Sequence, residues 1–297
     1  MHNELFIAIL SGLGGMFGWG LADFFAKKTI DQIGDVVTLF WSQFIGVFPL
    51  LILFLIHPSL PVLSKIEIPI IIFLGVWSGL SYIPTYTAFG KGKVSLLSPI
   101  FATYAVVVAI LSAIFFKEVI PFGRQVAFAI VFIGIIIING DPRNIWLMFF
   151  GKSRIKGEKI QGLKEILLAV CLYSLWIIAF DRFINGRDWV LFLLVVRIFS
   201  ALALLVYLRA KNIKIKVVDK IIWKFLVLIG VFDVFAFASL SYGLSHTSHT
   251  SIVAMLGAVF SLPTIILARV FLKEKMTRTQ TVGSIIIIIG IALISFL

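Results

Sequence analysis

Residues 94–139, VSLLSPIFATYAVVVAILSAIFFKEVIPFGRQVAFAIVFIGIIIIN, return in altered form at 250–295 as TSIVAMLGAVFSLPTIILARVFLKEKMTRTQTVGSIIIIIGIALIS. Laid over each other without a gap, the copies are identical at 13 of 46 positions, among them Ser95/Ser251, Ala102/Ala258, Leu111/Leu267, Phe115/Phe271, Val126/Val282 and Ile138/Ile294. Two isoleucine-rich segments match in part by chance. The polar pair that interrupts each copy, Lys117-Glu118 and Lys273-Glu274, is a stronger marker, as is the glycine that follows at 134 and 290. Both keep one offset, since 274 − 118 = 156 and 290 − 134 = 156. An internal repeat of this kind decides the architecture before any single residue does.

Composition says where the repeats reside. Of the 297 residues 61% are hydrophobic and 13% charged, against about 25% charged in an ordinary soluble domain, and the mean hydropathy is +1.11. This is the composition of a multi-pass membrane protein. A net charge of +12 in a soluble chain would suggest nucleic acid. Here the basic residues are scattered through short loops between apolar runs, where they orient a membrane protein, so nucleic acid is excluded as a partner. The single cysteine, Cys171, allows no internal disulfide and reads as a small apolar packing residue. No cleavable leader is expected, because no basic segment precedes the first apolar run at Leu5.

A bilayer core of about 30 Å takes about 20 helical residues to cross. Ten segments qualify: Leu5 to Ala26, Val36 to Ile56, Ile68 to Phe89, Val94 to Phe116, Phe122 to Asn139, Leu163 to Phe180, Trp189 to Leu208, Ile221 to Gly243, Thr250 to Leu272 and Thr279 to Leu297. The expected fold is an all-α integral membrane protein of ten transmembrane helices in two five-helix repeats, 1–140 and 163–297, joined by a basic linker over 141–162. Five is odd, so the second repeat enters the membrane from the side opposite to the first. The repeats are therefore inverted, and Glu118 and Glu274 belong on opposite faces. Inverted repeats are a common construction of secondary transporters, with the binding site near the midplane where the halves meet.

Trp19-Gly20 in the first span, Pro99 in the fourth, Pro263 in the ninth, and a Lys-Glu pair before a glycine-bearing last span in each half resemble the EamA family of the drug/metabolite transporter superfamily. The resemblance covers nearly the whole chain. It implies a ten-helix carrier of small metabolites such as amino acids or of drug-like compounds, often moved outward, in a plasma or inner membrane. Two departures are visible: Gln43 stands in the second span where its counterpart in the seventh, Arg197, keeps the arginine associated with the family, and Trp19-Gly20 becomes Trp176-Ile177 in the sixth.

Charges at membrane depth cost about 2.5 to 3.5 kcal/mol on insertion scales and need a partner, water or a purpose. Arg197 lies 11 residues before Leu208 and Asp233 lies 13 after Lys220, so at about 1.5 Å per residue both sit roughly 16 to 20 Å from one membrane face on consecutive antiparallel spans. They are expected to meet, either as a pair that only orients two helices or as a substrate and coupling site. Asp23 shares a helix face with Trp19 by i,i+4 spacing, yet stands a turn from Lys27 and Lys28, whose partner at the interface it would otherwise be. Gln43, by its match to Arg197, joins the candidates. Among the aromatic residues Trp19, Trp41, Trp77, Tyr82, Tyr86, Trp176 and Tyr242, Trp19 and Trp176 stand out for their comparable places in the two repeats. Tyr82 and Tyr242 are the tyrosines expected along a pathway. His246 and His249 precede the ninth span and read as solvated or hydrogen-bonded residues. The small residues Ser11, Gly14, Gly15, Gly18 and Ala22 of the first span predict close helix packing.

No catalytic residue, metal site or cofactor is expected: there is no Walker A loop, zinc-type spacing or H-E-x-x-H, and the glycine run from Gly12 fails G-x-G-x-x-G. The function expected is a secondary carrier for a small molecule, driven by protons or another coupling ion, as a monomer or homodimer in the bilayer. A membrane-embedded lipid- or phosphate-handling enzyme or flippase, with Arg197 on a phosphate, is the alternative. A receptor would need an extramembrane module that loops this short do not provide.

Orientation follows from the loops. Loops of odd number, counted along the chain, carry 18 basic residues from Lys27 to Arg278. Those of even number carry 5, namely Lys65, Lys117, Arg124, Arg182 and Arg187. The positive-inside bias places the odd-loop face in the cytoplasm and both termini outside, whereas the family resemblance implies termini inside. With charge as the guide, a cysteine at Gly157 in a Cys171→Ser background is expected to be shielded from an impermeant thiol reagent in intact cells. Labelling at that site, with protection at a C-terminal cysteine, would reverse the assignment.

Overall fold

The computed structural model describes residues 2–56, 58, 64–116, 121–139, 160–184, 189–215, 219–247, 253 and 256–296. Among these the secondary structure is helical throughout: α1 His2–Ile33, α2 Asp35–Ile56, α3 Glu67–Lys91, α4 Val94–Ala102, α5 Tyr104–Phe116, α6 Phe122–Asn139, α7 Leu163–Ile184, α8 Trp189–Ala210, α9 Lys220–His246, α10 Ser261–Phe271 and α11 Arg278–Phe296. Among the described residues seven helices are long and apolar enough to cross a membrane, and shorter apolar helices occupy Gln125–Gly134, Leu256–Phe271 and Arg278–Leu293. Together they are the ten spans of a two-repeat, all-helical membrane protein. Large apolar side chains face outward along them, among them Phe48 and Leu55 of α2, Phe73 of α3, Val206 of α8 and Val270 of α10, which suits a surface bathed in lipid.

Local chemistry sets several ends. Gly34, at a φ of +92°, turns α1 into α2 with no intervening loop, a left-handed conformation that glycine adopts without penalty. α1 therefore runs beyond the expected Ala26, with Thr29 and Ile30 buried. Before α11, Thr277 and Gln280 exchange reciprocal bonds, Thr277 N–H to Gln280 Oε1 at 2.9 Å and Gln280 N–H to Thr277 Oγ1 at 3.2 Å, a capping box.

The fourth span is not the continuous helix expected from its apolar run. It breaks at Thr103, whose hydroxyl donates back to the Ile100 carbonyl at 2.7 Å, a competition with the backbone ladder that bends helices. The ninth span breaks at the equivalent place: residues 259–260 form a turn, and 103 + 156 = 259. There Pro263 has no N–H to return to the Val259 carbonyl, and its ring disfavours helix on that side. Two different residues thus give one break in both copies.

The packing obeys the exchange of the two repeats. A Cβ built on Gly134 of α6 would lie 2.7 Å from Ile287 and 2.9 Å from the Gly283 carbonyl of α11; one built on Gly290 would lie 2.6 Å from Val131 and 3.2 Å from the Ala127 carbonyl of α6. Since 131 + 156 = 287 and 127 + 156 = 283, each contact is the image of the other. Likewise α1 packs on α9 as α7 packs on α3, and α3 on α8 as α9 on α2. These contacts are backbone-close. The small residues of α1 fit between those of α9, with a Cβ on Gly14 placed 2.5 Å from Ser239 Oγ and one on Gly18 2.8 Å from the Phe232 carbonyl. Their expected packing role is what the structure gives them.

The exchange is not perfect. α1 also packs on α2 and α3, and α2 on α3, while among the described residues α7 makes no comparable packing on α8 or α9, nor α8 on α9. Two copies of one design stand in two arrangements. Cys171, expected as a packing residue, is exposed on α7. Glu118, His249 and linker residues 141–159 lie outside the described residues.

Because the α1/α9 seam is a backbone contact with no room for a larger side chain, Gly18→Leu is expected to destabilise the protein by about 1 to 3 kcal/mol through overpacking. Gly34→Ala at the turn is strained by its φ alone and should cost less than Gly18→Leu. Thermal unfolding in detergent, followed by size-exclusion chromatography after heating, reads both.

Candidate functional site

Arg197, in the middle of α8, is buried at 6% exposure and has both of its terminal nitrogens engaged. One donates to Gln43 Oε1 of α2 at 2.8 Å; the other pairs with the Asp233 carboxylate of α9. The meeting of Arg197 and Asp233 that span spacing predicts is therefore present. Gln43 and Arg197 are also counterparts in the two repeats, and equivalent residues of a two-fold arrangement can touch only at the axis. The cluster therefore lies at the axis that relates the two repeats.

Against this cluster lies a cavity of about 600 Å³, counting the space through which it opens to solvent, bordered by Trp19, Ala22 and Asp23 of α1, Ser42 and Gln43 of α2, Tyr82, Thr85 and Tyr86 of α3, Phe101, Tyr104, Tyr173 of α7, Ile229 and Asp233 of α9, and Phe260. Phe101 and Tyr104 flank the break in the fourth span and Phe260 belongs to the break in the ninth. Since 104 + 156 = 260, both copies deliver an aromatic ring from the same place. Interrupted helices at mid-membrane are where transporters of this construction hold their solutes, because broken backbone is tolerated there only when it lines a cavity or is buried in protein.

Asp23 is part of this site and does not pair with lysine. Its carboxylate accepts from Ser98 Oγ of α4 at 2.8 Å. Lys27 pairs with Asp31 at 2.8 Å, and the Lys28 ammonium lies 4.8 Å from the centroid of the Phe225 ring. The expected pairing of Asp23 with those lysines is thus not made, and α1 continues past it for nearly three further turns. Trp19 stands at the cavity with its ring against Phe237 and Phe260, at centroid distances of 5.2 and 5.9 Å. Tyr82 meets the Tyr173 ring at 5.0 Å.

Two candidates stand elsewhere. Trp176 is buried at 3%, stacked between Tyr173 and Phe180, and its indole N–H donates to the Leu74 carbonyl at 2.9 Å. It fixes α7 against α3 rather than bordering the cavity. Tyr242 is exposed and stacks on His246, 4.1 Å between centroids, also away from the cavity. Its position near the end of α9 explains this.

Several site residues escape a reading of single spans. Ser98, Thr85 and Tyr173 carry no local signal, since a serine, threonine or tyrosine in an apolar helix is ordinary. Tyr104 and Phe260 did leave one, an aromatic pair at the repeat offset.

A solved structure titled "Crystal structure of protein" superimposes with a TM-score of 0.63 at 13% identity, covering 96% of this chain and 95% of that one, which supports the fold alone. No curated protein matches the sequence. The model of the EamA-like transporter family matches twice, over residues 6–140 and 161–296. With two repeats covering nearly all of its length, the chain belongs to the EamA-like transporter family.

Proposed function

We propose that this EamA-like membrane protein is a secondary transporter that moves a small metabolite, amino-acid-like or drug-like, by alternating access to the midplane cavity. The observation that carries this reading is the unequal packing of two equivalent halves. α1, α2 and α3 are drawn together where the corresponding helices of the second half are not. Exchanging the arrangements of the two halves would close the cavity on the other face and open it on the first.

The face closed in this arrangement is the odd-loop face, and polar contacts between the halves hold it. Lys91 pairs with Glu165 at 2.6 Å, and the Lys93 ammonium donates to the Lys275 carbonyl at 2.6 Å. Glu274 accepts from the backbone N–H groups of Val94 and Ser95 at 3.1 and 3.0 Å and from Ser95 Oγ at 2.5 Å. It caps the start of the fourth span, where the helix dipole favours a carboxylate. Such contacts at a membrane surface are individually modest and therefore reversible.

In this reading Arg197, Asp233 and Gln43 hold the halves together at the axis, and Asp233 takes part in coupling to a proton or another ion when its distance to Arg197 changes. The expected setting is a plasma or inner membrane, as a monomer or homodimer. The lipid- or phosphate-handling alternative loses its anchor, because both terminal nitrogens of Arg197 already have protein partners.

Three outcomes test this reading. In a Cys171→Ser background, Lys91→Cys with Glu165→Cys, joined by a short bifunctional thiol reagent, should abolish solute flux into proteoliposomes. Undiminished flux through fully cross-linked protein would refute alternating access at that face. Asp233→Asn should remove uptake driven by a pH gradient while leaving equilibrium exchange largely intact. Arg197→Ala should lower stability by about 1 to 3 kcal/mol, because it leaves a part-buried carboxylate unpaired, and pairing it with Asp233→Asn should recover part of that loss in thermal unfolding.

A further inference from the structure

Three carboxyl and guanidinium groups stand at or beside the cavity, and their pairing is unequal. Arg197 is engaged on both sides, by Asp233 and by Gln43. Asp23 has only a neutral donor, Ser98 Oγ at 2.8 Å, and the nearby lysines are committed elsewhere, Lys27 to Asp31 and Lys28 to the Phe225 ring. Among the described residues no Lys, Arg or His borders the cavity. With all three groups ionised the site carries one net negative charge, and that charge belongs to Asp23.

A part-buried carboxylate without a counter-cation inside a membrane protein is costly. Two ligands relieve it, a proton or a cation, and they compete for the same oxygens. The aromatic walls of the cavity that Asp23 borders favour an organic cation over a metal ion. Tyr82, Tyr104 and Phe101 gather about Tyr173, with ring centroids 5.0, 5.0 and 5.4 Å from it. Tyrosine, tryptophan and phenylalanine rings attract an ammonium group, and the more so where water is excluded. A metal ion would ask for several oxygen ligands, and among the described residues no cluster of three or more metal-ligating side chains occurs.

A further group in the wall is unused. Thr85 is buried at 2%, borders the cavity, and its hydroxyl has no hydrogen-bond partner. A threonine within a helix ordinarily returns its hydroxyl to a carbonyl one turn back, and leaving a buried hydroxyl unsatisfied is costly. It is placed to bond a polar group of a bound solute.

Resting on the transport reading above, we infer that the cavity takes an organic monocation, a protonated or quaternary amine carried on an aromatic or apolar body, with Asp23 as its counter-charge. A zwitterionic amino acid fits less well, because its carboxylate would find no uncommitted cation. A carboxylic acid would meet a site of its own sign.

Phenyltrimethylammonium, whose charge is fixed, tests the class against phenylacetate and L-phenylalanine in binding to the full-length protein in nanodiscs, measured by calorimetry. Phenyltrimethylammonium is expected to bind at least tenfold more tightly than either, and Asp23→Asn to weaken it by at least tenfold, with Asp23→Glu retaining part of the affinity. Preference of the wild-type protein for phenylacetate or L-phenylalanine overturns the inference, and needs no variant to fold. So does equal binding of phenyltrimethylammonium by Asp23→Asn. Transport is read separately: a cation that binds in an Asp23-dependent way but does not cross proteoliposomes counts against the carrier reading and leaves the cation site standing, whereas flux of an amino acid through the same protein does the reverse.

Discussion

The interaction on which the rest depends is the contact of Arg197 with Gln43 across the axis that relates the two halves. It is a bond between the same position in two copies of one repeat, and so it pins the axis. Everything symmetric about the molecule, from the paired glycines of α6 and α11 to the equivalent breaks in the fourth and ninth spans, is arranged around that line. Everything asymmetric begins there too, since one copy supplies a guanidinium and the other an amide. Asp233 then answers the guanidinium from α9, while α3, its counterpart helix, has no carboxylate beyond Glu67 in its first turn.

Burial of such a cluster in a membrane is not a route to stability, since the cost of removing charges from water rivals the gain from pairing them. Stability here comes from contact. Lipid is as apolar as leucine, so helices gain little by hiding apolar surface from it and associate through close packing. At the glycines and serines of α1 against α9, and at Gly75 and Gly79 of α3 against Phe199 and Ser200 of α8, the helices approach closely. These tight seams keep α1 with α9 and α3 with α8 while leaving the polar contacts of the odd-loop face as the weaker joints between halves.

Much of this was legible in the sequence, for physical reasons that also mark where legibility stops. Hydrophobic length reports a span because the bilayer imposes one thickness, and an odd number of spans per repeat forces inversion. A lone Arg and a lone Asp at equal depth on consecutive helices point to each other because neither tolerates lipid. Asp23 was harder, because its distance from the interface depended on where α1 ends, and the glycine turn at residue 34 carries the helix further than its apolar run. The break at Thr103 was hidden for a related reason: an apolar run records burial, and a bent helix is buried as well as a straight one. Trp176 shows the opposite failure, in which position within the repeat suggested a pathway and packing claimed the ring. Contacts between distant segments, such as Ser98 with Asp23 or Glu274 with Ser95, leave no mark on either segment alone.

Two perfectly equivalent halves would make the inward-open and outward-open arrangements equal in energy, apart from the membrane's own asymmetry. This chain departs from equivalence at the axis and in its loops. One repeat has Gln43 and the other Arg197; one has Trp19-Gly20 and the other Trp176-Ile177. Each departure makes a contact in one arrangement that the exchanged arrangement must replace with something different. Moving a two-state equilibrium from 1:99 to 99:1 takes about 5.5 kcal/mol, and a few hydrogen bonds at about 0.5 to 1.5 kcal/mol each come close to that. The joints that Glu274, Lys93 and Lys91 make between the halves are therefore the right size to set which face rests closed without locking it. On the transport reading proposed above, they leave to the solute the remaining free energy that turns one arrangement into the other.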